Sequence, residues 1–247
     1  MKSLRVSVVE LDLTNQAEAL GIIKNFLVTN HTNFVITPNA GQLQTYRKNK
    51  ELREFLKTAQ LRLIDGWPLA LAATIAEGQK WPRVTGSDLL PKLLESLDPQ
   101  TRVGVIGGAN NSEIQVKLNA LYPQLNLALV NNDQYLSDEQ SAKKISELCR
   151  TYEINFLILA LGHPKQELLA SKLKKYPVDS LRVVLCFGAS VDFLIGSQKR
   201  APRLLQKIGL EWLYRLIKNP KRFLMRYSKA IWPSLILIIS AMRMRFF

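Results

Sequence analysis

The chain holds two cysteines among 247 residues, Cys149 and Cys186, far apart and in apolar surroundings, with no Cys-x-x-Cys or Cys-x-x-His spacing. A disulfide framework and a zinc site are thereby excluded, and a reducing cytoplasm is the simplest expectation. No signal peptide is expected either, because the opening "MKSLRVSVVELDL" is interrupted by Arg5 and Glu10. There is no Asp-x-Asp, no internal repeat and no low-complexity segment. The apolar stretch "IWPSLILIIS" near the C-terminus offers about ten residues, well short of the ~20 that a spanning helix needs. "VGVIGGANN" lacks the Gly-x-Gly-x-x-Gly spacing that a dinucleotide-dependent oxidoreductase requires. Acidic residues are scarce in one place only. Between Gln198 and Phe247, Glu211 stands alone against 12 Lys and Arg.

That asymmetry accounts for most of the formal charge of +14. Residues 1–197 form a nearly neutral body, and residues 198–247 a basic, aromatic, amphipathic appendage. Such an appendage implies a polyanionic partner: a phosphate-rich ligand, a membrane surface or nucleic acid.

The body alternates strands with helices. Runs at "VSVVEL", "NFVIT", "LRLI", "RVGVIG", "LNLALV", "INFLILAL" and "LRVVLCFG" are short and rich in Val, Ile, Leu and Phe, with helical patterns such as "SEIQVKLNALY" and "PKQELLASKL" between them. Near-continuous apolar strands separated by helices predict an α/β, Rossmann-like fold: a mostly parallel sheet with helices on both faces.

Ligands of such sheets bind beyond the carboxyl ends of the strands. There the chain places Thr37-Pro38-Asn39, Asp65-Gly66, Gly107-Gly108-Ala109-Asn110-Asn111, Gly162-His163-Pro164-Lys165-Gln166-Glu167 and Phe187-Gly188-Ala189-Ser190-Val191-Asp192. Each has a local explanation. Thr37, Asn39 and Asp65 suit helix caps, Pro164 suits the first helical position, and His163 suits a loop position satisfied by backbone. Gly107-Gly108 permits a tight turn where backbone N–H groups can meet phosphate. Capping alone does not require five polar strand ends to share one edge.

These residues carry a resemblance. "TPNAGQLQ", "IDGWPLA", "RVTGSDLL", "GVIGGAN", "LALGHPKQE" and "DFLIGSQKRAPRLLQKIGLEWLYRLIKNPKRFLMRY" follow the order and approximate spacing of the WecG/TagA/CpsF family of bacterial hexosyltransferases, over roughly Leu4 to Tyr227. The resemblance implies an inverting, metal-independent glycosyltransferase with no cofactor. It would move N-acetylmannosamine or a related sugar from a UDP-sugar to an undecaprenyl-diphosphate-linked saccharide in cell-surface polysaccharide synthesis. By the same resemblance Asp65 is the general base, Thr37 and Gln166 approach the sugar or the transition state, and Asn39 and Arg83 lie in substrate-binding motifs. Arg83 also suits an ordinary ion pair that holds its loop. Gly107 and Gly108 offer backbone to the donor, and Asp192 can accept from the nucleoside. "CFGAS" departs from the family's glycine-rich turn at Ala189 and Ser190.

In the appendage, Arg215, Lys218, Arg222, Arg226 and Lys229 are spaced 3, 4, 4 and 3, the repeat of one helical face, beside an apolar stripe of Leu205, Ile208, Trp212 and Leu216. Asn219-Pro220 is expected to divide the segment into two helices. The resemblance places Arg215, Arg222 and Arg226 near the donor diphosphate, with the appendage closing over the pocket and touching the membrane. "IWPSLILIIS" then reads as an interfacial helix on the inner face of the cell membrane, Trp232 at headgroup level, with packing on the body or an oligomer contact as the other explanation. The reading of a different class is a nucleic-acid-binding protein that uses the basic aromatic tail. The transferase reading includes no nucleic acid and leaves a homo-oligomer open.

Overall fold

Six of the seven apolar runs build a single parallel sheet. The computed structural model describes residues 3–6, 9–108, 110–207, 210–218, 220, 232, 234–243 and 245, with side chains at all of these except 6, 9, 203, 207, 212 and 215. The strands are β1 (Ser3–Val6), β2 (Val9–Asp12), β3 (Asn33–Ile36), β4 (Leu61–Arg62), β5 (Arg102–Gly107), β6 (Asn126–Asn131), β7 (Phe156–Ala160) and β8 (Val183–Cys186). The sheet runs in the order β4-β3-β8-β7-β5-β6, and every neighbouring pair is parallel.

The exception is "VSVVEL". Expected as one strand, it straddles a hairpin in which β1 and β2 pair antiparallel, Val6 opposite Val9. With valines at positions 6, 8 and 9 the run looks from sequence like an unbroken strand. The hairpin is fastened to the sheet by Asp12, 2% exposed, whose carboxylate accepts from the Arg62 backbone N–H at 2.7 Å and its guanidinium at 2.9 Å.

The unbroken apolar character of the strands follows from burial on both faces. Phe156, Ile158 and Ala160 of β7 point into one core and Leu157 and Leu159 into the other; β8 divides the same way, Val183 and Leu185 against Val184 and Cys186. Helices Gln16–Phe26, Gly86–Ser96 and Asn111–Leu121 close the first core, and helices Lys50–Thr58, Trp67–Glu77, Glu139–Thr151 and Lys165–Leu173 the second. Both cysteines are free and fully buried. Burial pushes the Cys149 thiol up to about 12, against the smaller opposing effect of Arg150.

The chain after β3, β7 and β6 leaves toward one face and the chain after β8 and β5 toward the other. Along β3-β8-β7-β5-β6 the connections therefore diverge strand by strand, which opens a crevice at their carboxyl ends.

Of the appendage, helices Arg203–Lys207 and Glu211–Lys218 are described, and residues 234–243 are helical. Leu237 and Ala241, four residues apart, are fully buried in the second core. The opposite side exposes Trp232, Leu235, Ile239 and Met242. Residues 221–230, which hold Arg222, Arg226 and Lys229, lie outside the described residues, as do Ile208, Asn219 and the side chains of Trp212 and Arg215. Among the described residues no helix is long and apolar enough to cross a membrane.

Candidate functional site

The edge of the sheet at β4 and β3 brings together the first set of polar strand ends. The register Val35 to Leu61 and Ile36 to Arg62 continues past the strands, through Leu63 N–H to Ile36 O at 2.9 Å and Asp65 N–H to Pro38 O at 3.1 Å. Asp65 is thereby set abreast of Asn39. The next helix begins at Trp67 with Gly66 in the cap position, φ 97°. Asp65 is therefore not the cap that its sequence position allowed; its side chain is half-buried just beyond the carboxyl end of β4. Gly66 keeps this turn tight, because a Cβ there would lie 3.6 Å from Asn39 Cβ.

Asn39 does occupy a cap position, that of the 3-10 turn Ala40–Gln42, and its N–H donates to Gln42 Oε1 at 3.2 Å. Thr37 is half-buried just beyond β3, and among the described residues no hydrogen bond engages its hydroxyl.

The segment after helix Trp67–Glu77 returns to this edge, with Val84 N–H donating to Ile64 O at 2.8 Å. It delivers Arg83 and the N-terminus of helix Gly86–Ser96, capped by Thr85. Gly86 packs so closely on the end of β8 that a Cβ would fall 2.7 Å from Phe187 Cγ. Ser87 and Ser190 hydroxyls meet there at 3.3 Å, and Ser190 Oγ also donates to Phe187 O at 2.7 Å. The departure at Ala189-Ser190 is thus taken up locally, while Gly188 keeps a left-handed φ of 53°.

On the inner strands, polar side chains are buried and committed to backbone. Gln166, 3% exposed, donates from Nε2 to Cys186 O at 3.0 Å and accepts at Oε1 from Gly188 N–H at 2.9 Å, so one carboxamide ties the end of β7 to the end of β8. Its Nε2 also reaches Glu167 Oε1 at 3.1 Å. His163 departs from the expected backbone-satisfied loop residue. Its Nδ1 lies 3.2 Å from Glu167 Oε2, without the alignment of a hydrogen bond, and its ring meets Tyr46 edge-on at 5.2 Å. Burial, then the Glu167 charge, pushes the Tyr46 phenol well above its ordinary value. Pro164 sits one position earlier than expected, at the cap of helix Lys165–Leu173.

Gly107 and Gly108 have φ of 92° and 94°. A Cβ on Gly107 would meet Leu161 Cδ2 at 2.7 Å, and one on Gly108 would meet Ile114 Cδ1 at 2.5 Å. Only glycine lets the backbone turn here, and the same turn brings Gly108 beside Asp192, whose Oδ1 is 3.6 Å from the Cβ position. Asp192 Oδ2 accepts from Gln198 Nε2 at 3.0 Å. The turn from β5, Asp192 and the start of the appendage therefore share one corner.

Sequence reasoning missed a charge cluster at the other corner. Arg200 donates to Asp88 at 2.6 Å, Arg83 pairs with Glu211 at 3.3 Å, and Arg200 Nε lies 3.9 Å from Glu211 Oε1. For Arg83 the ordinary ion pair is thus present. Burial opposes the Asp88 charge, but the Arg200 hydrogen bond and charge, the Thr85 hydroxyl and Arg83 outweigh it and hold the carboxyl below its usual value. Burial likewise opposes the Arg200 charge, and Asp88, Glu211 and Asp65 together overcome it. Sequence offered an ion pair for Arg83 and the isolation of Glu211, but not which charges meet, because the members are spread from position 83 to position 211.

A cavity of about 810 Å³ lies at the opposite, amino ends of the strands, lined by Lys24, Ser96, Thr101, Asn155 and Arg182 among others. None of the candidate residues reaches it. Among the described residues no three His, Cys, Asp or Glu converge as a metal-binding group would.

The convergence on the carboxyl edge brings together Thr37, Asn39, Asp65, Arg83, Gly107, Gly108, Gln166 and Asp192 from segments scattered over 156 positions. A profile of the glycosyl transferase WecG/TagA/CpsF family matches residues 4–246, nearly the whole chain, and the protein belongs to that family.

Proposed function

We propose that this member of a glycosyltransferase family of cell-surface polysaccharide synthesis is an inverting hexosyltransferase that works without a metal. It transfers N-acetylmannosamine or a related sugar from a UDP-sugar to an undecaprenyl-diphosphate-linked saccharide. The observation that carries the reading is Asp65: a carboxylate at the carboxyl end of a parallel strand, relieved of capping by Gly66 and held abreast of Asn39 by the Pro38 carbonyl.

In this mechanism an Asp65 carboxylate oxygen takes the proton of the acceptor hydroxyl as the hydroxyl oxygen bonds to the anomeric carbon. The bond from that carbon to the donor diphosphate breaks on the opposite face, and UDP leaves with the bonding pair. Base assistance of this kind is worth about 10²–10⁴ in rate. Thr37 and Asn39 meet sugar hydroxyls. Gln166 acts by holding the β7 and β8 loops in register. The turn at Gly107-Gly108 and Asp192 receive the nucleoside. The absence of Asp-x-Asp leaves the diphosphate charge to arginines, Arg215, Arg222 and Arg226 among them.

UDP release from a panel of UDP-sugars tests this, with a lipid-diphosphate-linked GlcNAc acceptor, with and without EDTA. EDTA-resistant turnover that falls at least about 100-fold in Asp65→Asn, with UDP binding and folding intact, is expected. Absence of turnover with every donor, together with salt-sensitive binding of single-stranded nucleic acid, would sink the reading.

We place the protein on the inner face of the cell membrane. Trp232, Leu235, Ile239 and Met242 recur at helical spacing on the exposed side of residues 232–242, within a segment rich in Lys and Arg. That pairing suits an interface rich in anionic lipid. Flotation with phosphatidylglycerol vesicles, lost in phosphatidylcholine vesicles or in Leu235→Ser/Ile239→Ser, is the expected result; equal flotation of the variant would remove this surface from the account.

A further inference from the structure

Building on the transferase reading, we propose that Gln42 is a positioning residue for Asp65. It fixes the plane of the Pro38-Asn39 peptide, whose carbonyl holds Asp65 in place, and Tyr46 in turn fixes Gln42.

The Pro38-Asn39 peptide unit is pinned at both of its polar groups. Its carbonyl, Pro38 O, accepts from Asp65 N–H at 3.1 Å, and its N–H, that of Asn39, donates to Gln42 Oε1 at 3.2 Å. A trans peptide unit is planar, with C=O and N–H on opposite sides, so neither group turns without the other. The oxygen that receives Asn39 N–H therefore sets the direction of the carbonyl that receives Asp65 N–H. Gln42 also donates its own backbone N–H to Asn39 O at 3.0 Å, so one residue holds Asn39 at both backbone groups. The bond to Asp65 follows that of Leu63 N–H to Ile36 O and immediately precedes the turn at Gly66. It is thus placed to set where the carboxylate leaves the sheet edge.

The orientation of the Gln42 carboxamide is itself decided. Gln42 is 7% exposed and Tyr46 1%. Tyr46, one helical turn on, donates from its hydroxyl to the same Oε1 at 3.3 Å. A carboxamide offers an acceptor at one end and two donors at the other, so an end that faces two donors has to be the oxygen. Burial, and after it the Glu167 charge, keeps the Tyr46 phenol protonated far above its ordinary range, so Tyr46 remains a donor. Its ring is braced edge-on against His163 at 5.2 Å.

A glutamine that only satisfied a turn N–H would matter for stability alone. The shared peptide plane ties Gln42 to Asp65 instead, so its effect on turnover vanishes once the Asp65 carboxylate is gone.

Gln42→Met and Tyr46→Phe are made in the full-length protein and again in the Asp65→Asn background. They are compared by circular dichroism, amide hydrogen exchange, calorimetric titration with UDP, and UDP release from the UDP-sugar panel with the lipid-diphosphate-linked GlcNAc acceptor. In folded Gln42→Met we expect kcat to fall by roughly tenfold to a hundredfold, the loss that a small misplacement brings, with UDP affinity within about twofold of wild type. The Asp65 amide, which touches neither substituted side chain, exchanges faster. Tyr46→Phe keeps its ring and shifts both readouts the same way by less; it carries the test if Gln42→Met fails to fold. In the Asp65→Asn background Gln42→Met brings no further loss, because residues that act as a unit are not additive. An undiminished further loss there, or unchanged exchange of the Asp65 amide, overturns the proposal. Wild-type protein that turns over no UDP-sugar refutes the transferase reading instead, and exchange of the Asp65 amide then decides the positioning alone.

Discussion

The two halves of the crevice are built differently. At the β4-β3 edge, Thr37, Asn39, Asp65 and Arg83 are half-exposed and stand in turns joined by backbone, Asp65 N–H to Pro38 O and Val84 N–H to Ile64 O. On the inner strands, Gln166, Glu167 and Asp192 are buried, and the Gln166 and Asp192 side chains hold neighbouring segments. One half presents chemical groups to the crevice and the other fixes its shape. The difference has a physical origin for Asp65 at least: β4 is an edge strand and leaves its following loop open to solvent on one side, whereas the ends of β8, β7 and β5 have a strand on both sides, where an unpaired polar group would be costly.

This contrast can be broken by substitution. The largest effect belongs to the presenting half, where Asp65→Asn removes at least about 100-fold in turnover while thermal unfolding stays within a degree or two of wild type. In the shape-fixing half, Gly107→Ala places a methyl 2.7 Å from Leu161 at a φ of 92°. Strain and overpacking of this kind cost roughly 2–5 kcal/mol, which calorimetry would register as a fall in Tm of about 5–15 °C. Gln166→Leu strands Gly188 N–H and Cys186 O, at about 1–3 kcal/mol for a buried unpaired group. Its activity should fall through lost order of the β8 loop, seen as faster hydrogen exchange at 187–190. A Gln166 variant that loses turnover with unchanged exchange there would move Gln166 into the presenting half.

The fold was legible where burial on both faces leaves its mark. β7 reads "FLILA" and β8 "VVLC" because every residue enters one core or the other. The antiparallel pairing of β1 with β2 was not legible, since "VSVVEL" carries the same composition and holds no Gly, Asn or Pro to announce a break. The strand-end candidates were proposed because strand ends in a parallel sheet share one edge, a property of topology that the alternation of runs already implies, whereas Arg83, Arg215, Arg222 and Arg226 were proposed from the family resemblance. His163 was misjudged because Tyr46, whose ring it meets, is 117 positions away in sequence and reaches it only in the folded chain.

By itself the sequence determined the alternation of strands and helices, the parallel sheet, the convergence of polar strand ends and the isolation of positive charge in the last fifty residues, all of which depend on local periodicity and composition. Only the tertiary structure decided that Gly66, not Asp65, caps the helix, that Gln166 serves two backbone groups, and that the single acid of the appendage meets Arg83 and Arg200. Those outcomes depend on distances between residues up to 128 positions apart, and no local pattern encodes which charge will find which partner once the cores have closed.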